Sequence, residues 1–120
     1  MILKECYDAF GGDYESVKLR ITKDEMLKKF VLKFLSEPSY QNLCEALDGG
    51  NYEDAFRAAH SLKGVSANLG FARLEKSSSE MTELLRKSGE KQIDSDMTKQ
   101  LLETVTGDYN AVIEAIRKLD

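Results

Sequence analysis

The sequence predicts an all-α protein, an antiparallel four-helix bundle with one or two short accessory helices at its N-terminus. Three observations carry this. Only one proline occurs in 120 residues, and no run of β-branched residues marks a strand. The glycines fall largely at Gly11–Gly12, Gly49–Gly50, Gly70 and Gly89, where each closes one apolar repeat before the next begins. Apolar residues recur at three- and four-residue steps along the segments between them. With 42% hydrophobic and 32% charged residues the balance is globular. The length suits one domain over residues 1–120, with a bundle core at about 23–119 and the accessory helices at about 1–21.

Taken in order, Asp13 is placed to cap a short helix that runs to Ile21. Thr22 and Glu25 have capping-box spacing ahead of a helix carrying Met26, Leu27, Phe30, Val31, Phe34 and Leu35, which must end before Pro38. A shorter helix with Tyr40, Leu43, Ala46 and Leu47 stops at Asp48–Gly49–Gly50. Asn51 caps a long helix to Leu69, and Gly70 is its left-handed terminator. The next helix runs from Phe71 to about Ser88 with Leu74, Met81, Leu84 and Leu85 inward. The last spans about Ser95 to Leu119, its bundle face formed by Met97, Leu101, Val105, Tyr109, Val112, Ile116 and Leu119. Gly107 inside it marks a bend or a close approach to a neighbour.

Composition excludes several functions. Seventeen basic against twenty-one acidic residues leave a net charge of −4, which does not suit a generally basic nucleic-acid binder. No apolar run approaches the ~18 residues that cross a bilayer. The start MILKECYDAF is not a secretory signal, so the expected compartment is the cytoplasm and no membrane partner is expected. Cys6 and Cys44 lie far apart, in no metal-ligand spacing, and are expected as free, reduced thiols.

The only histidine, His60, lies in the helix from Asn51 to Gly70. With Phe56 as origin and about 100° per residue, Ala55, Ala59, Leu62, Ser66 and Leu69 fall within about 220–300°, the arc of a core face. On the same wheel His60 lies at about 40°, Ala67 at about 20°, Lys63 at about 340° and Gly64 at about 80°. His60 therefore projects away from the core, with a cation at i+3 and small residues at i+4 and i+7. Each feature has an ordinary reading. A lone surface histidine is usually solvated, a lysine decorates a helix, and a glycine in a helix most often marks close helix packing. Their conjunction on one strip points to phosphoryl transfer. A neutral imidazole is a nucleophile near neutral pH, and Lys63 can offset the charge that a phosphoryl group brings. Gly64 and Ala67 clear the approach, and Phe56 offers apolar area for partner docking. A metal site is disfavoured by the single histidine, and a hydrolase triad by the lack of an implied pocket. Ser61, about 100° round the helix, is not expected to take part.

Ala59-His60-Ser61-Leu62-Lys63-Gly64, continuing through Ala67-Asn68-Leu69-Gly70, resembles the signature of histidine-containing phosphotransfer (HPt) domains. The spacing Leu43…Ala46-Leu47…Asn51-Tyr52…Ala55 and the downstream Leu74-Glu75…Leu84-Leu85 are similar as well, so the resemblance covers roughly residues 25–88. It implies a monomeric bundle phosphorylated at His60, on the ring nitrogen remote from the backbone. The partners it implies are response-regulator receiver domains or a hybrid sensor kinase, not nucleic acid. Mg²⁺ would sit on the receiver, and the chain would need no cofactor. It would be a phosphocarrier, not an enzyme with its own ATP site, and no Gly-rich phosphate loop is present. Many family members orient the imidazole through a Gln or Glu on the following helix; the position aligned here is Thr82. Arg86, one turn further, is the candidate second cation beside the phosphate. The same resemblance allows the phosphorylatable N-terminal domain of a chemotaxis-type kinase, or a receiver-binding module without phosphotransfer.

Overall fold

The computed structural model describes residues 1–86 and 94–120, and the described residues form helices with no strand. Seven α-helices follow in order: α1 (Leu3–Phe10), α2 (Tyr14–Arg20), α3 (Asp24–Lys33), α4 (Ser39–Asp48), α5 (Tyr52–Leu69), α6 (Ala72–Arg86) and α7 (Ser95–Arg117). A 3₁₀ turn, Phe34–Ser36, follows α3. The helix expected to reach Ser88 is described as far as Arg86; residues 87 and 88, like Gly89, lie outside the described residues.

Three caps form where the sequence places a short polar side chain. Asp13 accepts from the Ser16 amide at 3.0 Å, Asn51 from Asp54 at 3.1 Å, and Asp94 from Met97 at 3.0 Å. The Thr22–Glu25 box does not form. The cap position of α3 is Lys23, whose side chain makes no capping bond. Lys18 ties this corner instead, donating to the Thr22 carbonyl and pairing with Asp24 at 2.6 Å, while Tyr14 donates to Asp24 at 2.8 Å. These two donors hold the Asp24 carboxyl below its ordinary pKa, and the same bond pushes the Tyr14 phenol up to about 12.

α5 packs between α4 and α6, α6 packs on α7, and α7 packs on α1. The connections Gly49–Asn51 and Gly70–Phe71 are too short for anything but antiparallel neighbours. Tyr40 of α4 stacks on Tyr109 of α7 at 4.0 Å and shares a hydrogen bond with Thr106, closing the bundle. The two short N-terminal helices add Leu3, Cys6, Tyr7, Phe10 and Val17 to the same continuous core. Cys6 is buried and Cys44 half-buried; both are free.

α3 buries less than its apolar repeat suggests. Along α3 and the 3₁₀ turn after it, Leu27, Val31 and Phe34 are interior, whereas Met26, Phe30 and Leu35 are 52%, 38% and 42% exposed. The helix lies on the outside of the bundle with few neighbours, so only a stripe one residue wide is covered. Gly107 is exposed, and a Cβ added there would meet nothing within 4 Å, so of the two readings of this glycine, a bend or a close approach to a neighbour, the close approach is absent.

The N-terminal helices also fix the C-terminal end of α5. Tyr7 is fully buried and donates to the Leu69 carbonyl at 2.6 Å, and burial raises its phenol pKa well above the ordinary value. Arg20 reaches the Ala67 and Asn68 carbonyls at 3.2 and 2.8 Å, where helix carbonyls lack intrahelical partners. Gly70 takes φ 71°, the left-handed conformation that ends the helix at little cost only without a Cβ.

Candidate functional site

α5 has two faces. Ala55, Ala58, Ala59, Leu62, Ser66 and Leu69 are buried against the neighbouring helices. All five residues expected on the core arc are among them. The opposite face carries His60 and Gly64, both exposed, with Phe56, Lys63 and Ala67 half-buried beside them.

Side chains on a helix lean toward its N-terminus, so each covers the turn before its own Cα. A side chain at position 64 would therefore lie over residue 60. Gly64 has none, and a Cβ built there meets no atom within 4 Å. No neighbouring helix occupies this space, so helix packing does not explain the glycine. His60 leans back onto Phe56 by the same geometry. Their rings lie 6.1 Å apart and 21° from parallel, within the offset-stacked range. The guanidinium carbon of Arg86, from α6, sits 5.0 Å from the Phe56 ring centroid.

Nearby carboxylates already have cationic partners. Arg57 pairs with Glu53 at 2.6 Å and Asp54 at 3.3 Å, turned toward the N-terminus and away from His60. Arg86 pairs with Glu83 at 3.3 Å. Lys63 forms no ion pair among the described residues, which leaves its ammonium available to an incoming anion.

Thr82 is not brought to the imidazole. It is fully buried on α6, and its hydroxyl donates to the Ser78 carbonyl at 2.7 Å. A short hydroxyl in a helix finds the carbonyl one turn back more readily than a ring on another helix. Arg86 lies against Phe56, one residue removed from His60. Ser61 faces the other way, into an open groove of about 530 Å³ between α4 and α5 that Asn42, Glu45 and Asp54 also line. Two features were missed by sequence reasoning. Arg20 comes from 47 residues before Ala67, and no local pattern announces it. The Phe56–His60 stack had a signal, since aromatic rings at i and i+4 meet on a helix.

Among the described residues no cluster of His, Cys, Asp and Glu is placed to hold a metal ion, and no helix is long and apolar enough to cross a membrane. An all-helical bundle with one exposed histidine on a cleared, cation-flanked strip has the make-up of a phosphocarrier module. The family model of the Hpt domain matches residues 33–116, well over half of the sequence, and the chain belongs to that family. Hpt domains carry out histidine phosphotransfer in two-component signalling. No curated protein and no solved structure matches the chain.

Proposed function

We propose that His60 accepts a phosphoryl group from an aspartyl phosphate of a receiver domain and returns it to such an aspartate. The observation that carries this is the open space over an exposed imidazole, left by Gly64. The in-plane lone pair of Nε2 attacks phosphorus. A nitrogen–phosphorus bond forms, the phosphorus–oxygen bond to the aspartate breaks, and the carboxylate departs. Attack from Nε2 uses the tautomer with its proton on Nδ1, which the ring can later release to water. Lys63, one turn on, offsets the charge of the phosphoryl group. Gly64 and Ala67 let the receiver surface approach, and Mg²⁺ belongs to the receiver, not to this chain. The working form is a cytoplasmic monomer.

The test is incubation with phosphate-labelled receivers, following acid-labile, base-stable label on this chain. Wild type takes up label and folded His60→Gln does not, since an exposed substitution changes stability by only about ±0.5 kcal/mol. Label on His60→Gln assigns the acceptor elsewhere. Receiver binding without label reduces the chain to a docking module. Label from ATP alone overturns the carrier reading.

A further inference from the structure

We propose that Phe56 is the positioning residue of His60, orienting the imidazole through the stack between their rings, with Arg86 seated on Phe56 to hold it. This rests on reading His60 as the acceptor, and it gives Phe56 a role beyond apolar docking area.

An imidazole on an exposed helix face turns about two side-chain bonds, and a productive attack needs one tilt of the ring. A hydrogen bond to one ring nitrogen is the usual restraint. None is formed by a side chain among the described residues, and Thr82, the aligned candidate, is committed to Ser78. The aromatic ring stacked beside it is that of Phe56, 6.1 Å away centroid to centroid and 21° from parallel. Phe56 is half-buried, so the base of the stack is fixed by the bundle. It is also held from α6, because Arg86 lies 5.0 Å from the Phe56 centroid while its Nε is paired with Glu83 at 3.3 Å. A chain of contacts from Glu83 through Arg86 and Phe56 thus ends on the imidazole.

The chemistry favours this kind of restraint. The nucleophilic lone pair lies in the plane of the imidazole, whereas a stacking partner occupies the π face. The stack therefore limits tilt without itself blocking the in-plane lone pair, and the space beside Gly64, one turn on, is open. It fixes the plane of the ring and leaves the tautomer to solvent.

The experiment separates positioning from docking by using a donor too small to dock. Phosphoramidate transfers its phosphoryl group to imidazole: its nitrogen–phosphorus bond breaks, the leaving nitrogen departs as ammonia after taking up a proton, and the Nε2–phosphorus bond forms. His60 is the only histidine, so its two ring C–H resonances identify themselves. The wild-type chain is expected to show cross-relaxation between these protons and the Phe56 ring. Phe56→Leu, which keeps apolar bulk, should abolish it and move both resonances off their ring-current positions. It should also slow phosphorylation by phosphoramidate about three- to tenfold. Phe56→Tyr should restore both. If Leu is not tolerated by the fold, Phe56→Met makes the same comparison. An unchanged phosphoramidate rate in folded Phe56→Leu or Phe56→Met overturns the proposal and leaves Phe56 to docking. Failure of the wild type to take a phosphoryl group from phosphoramidate or a receiver overturns the acceptor reading itself. The ring-proton spectrum, which needs no phosphate, tells that failure from a missing stack.

Discussion

Gly64 is the residue whose replacement separates access from folding. It is exposed in the interior of α5, and an added Cβ meets nothing within 4 Å. Replacing it removes the entropic penalty of glycine in a helix, about 0.5–1 kcal/mol, with no steric charge against the gain. For a domain of this size that raises the melting temperature by about 2–4 °C. Gly107 is the matched control, since it too is exposed in a helix interior with no atom near its missing Cβ. Gly64→Gln and Gly107→Ala should therefore both melt at or above wild type. Only Gly64→Gln lays a side chain over His60, in the path of an incoming surface. Overpacking of that kind costs about 1–3 kcal/mol, which is about five- to 150-fold in affinity. Melting curves by circular dichroism, run beside calorimetric titration with a receiver that labels wild type, make the comparison. A lower melting temperature for Gly64→Gln would mean that Gly64 serves the fold. Undiminished receiver binding would place the docking face elsewhere.

Two further substitutions probe the strip and its support. Lys63→Ala removes a cation without a partner among the described residues, and should slow receiver-dependent transfer by about ten- to a hundredfold while leaving affinity for the unphosphorylated receiver unchanged; loss of affinity with the maximal rate intact would refute a role in charge stabilisation. Tyr7→Phe deletes the 2.6 Å bond to the Leu69 carbonyl and leaves a buried acceptor unpaired, which should cost about 1–3 kcal/mol in urea unfolding with phosphoramidate acceptance unchanged; no loss of stability would mean that another donor replaces the phenol.

The parts of the molecule legible in the sequence are those that depend on one helix alone. Periodicity put Ala55, Ala59, Leu62, Ser66 and Leu69 on the inner face of α5 and His60 on the outer, because helix geometry fixes those directions without any neighbour. Asp13 and Asn51 were legible as caps for the same reason. What failed depends on the number and identity of neighbours. Met26 and Phe30 share the apolar repeat of Leu27 and Val31, yet α3 has too few neighbours to cover both pairs. Thr22 has the spacing of a cap, but Lys18 ties the corner through the Thr22 carbonyl and Asp24. The tie between Tyr7 and Leu69 joins residues 62 apart, and no local pattern encodes it. Gly64 was ambiguous in sequence because packing and access call for the same residue, and only the empty space beside it tells them apart.

That empty space is not sufficient by itself, as Gly107 demonstrates. Both glycines weaken their helices, and neither has a neighbour close to its missing Cβ. The difference lies in what stands one turn earlier. Position 103, four residues before Gly107, is an exposed glutamate; position 60 is a histidine stacked on an aromatic ring, with a lysine at i+3. A departure from local helix preference becomes a functional signal only where the uncovered residue has chemistry to offer. α5 can accommodate the departure because its stability is held elsewhere: by the Asn51 cap at one end, by Gly70, Arg20 and Tyr7 at the other, and by the buried face opposite the strip. The open face is left with little part in holding the fold, which is why substitutions there should change phosphoryl transfer or docking far more than stability.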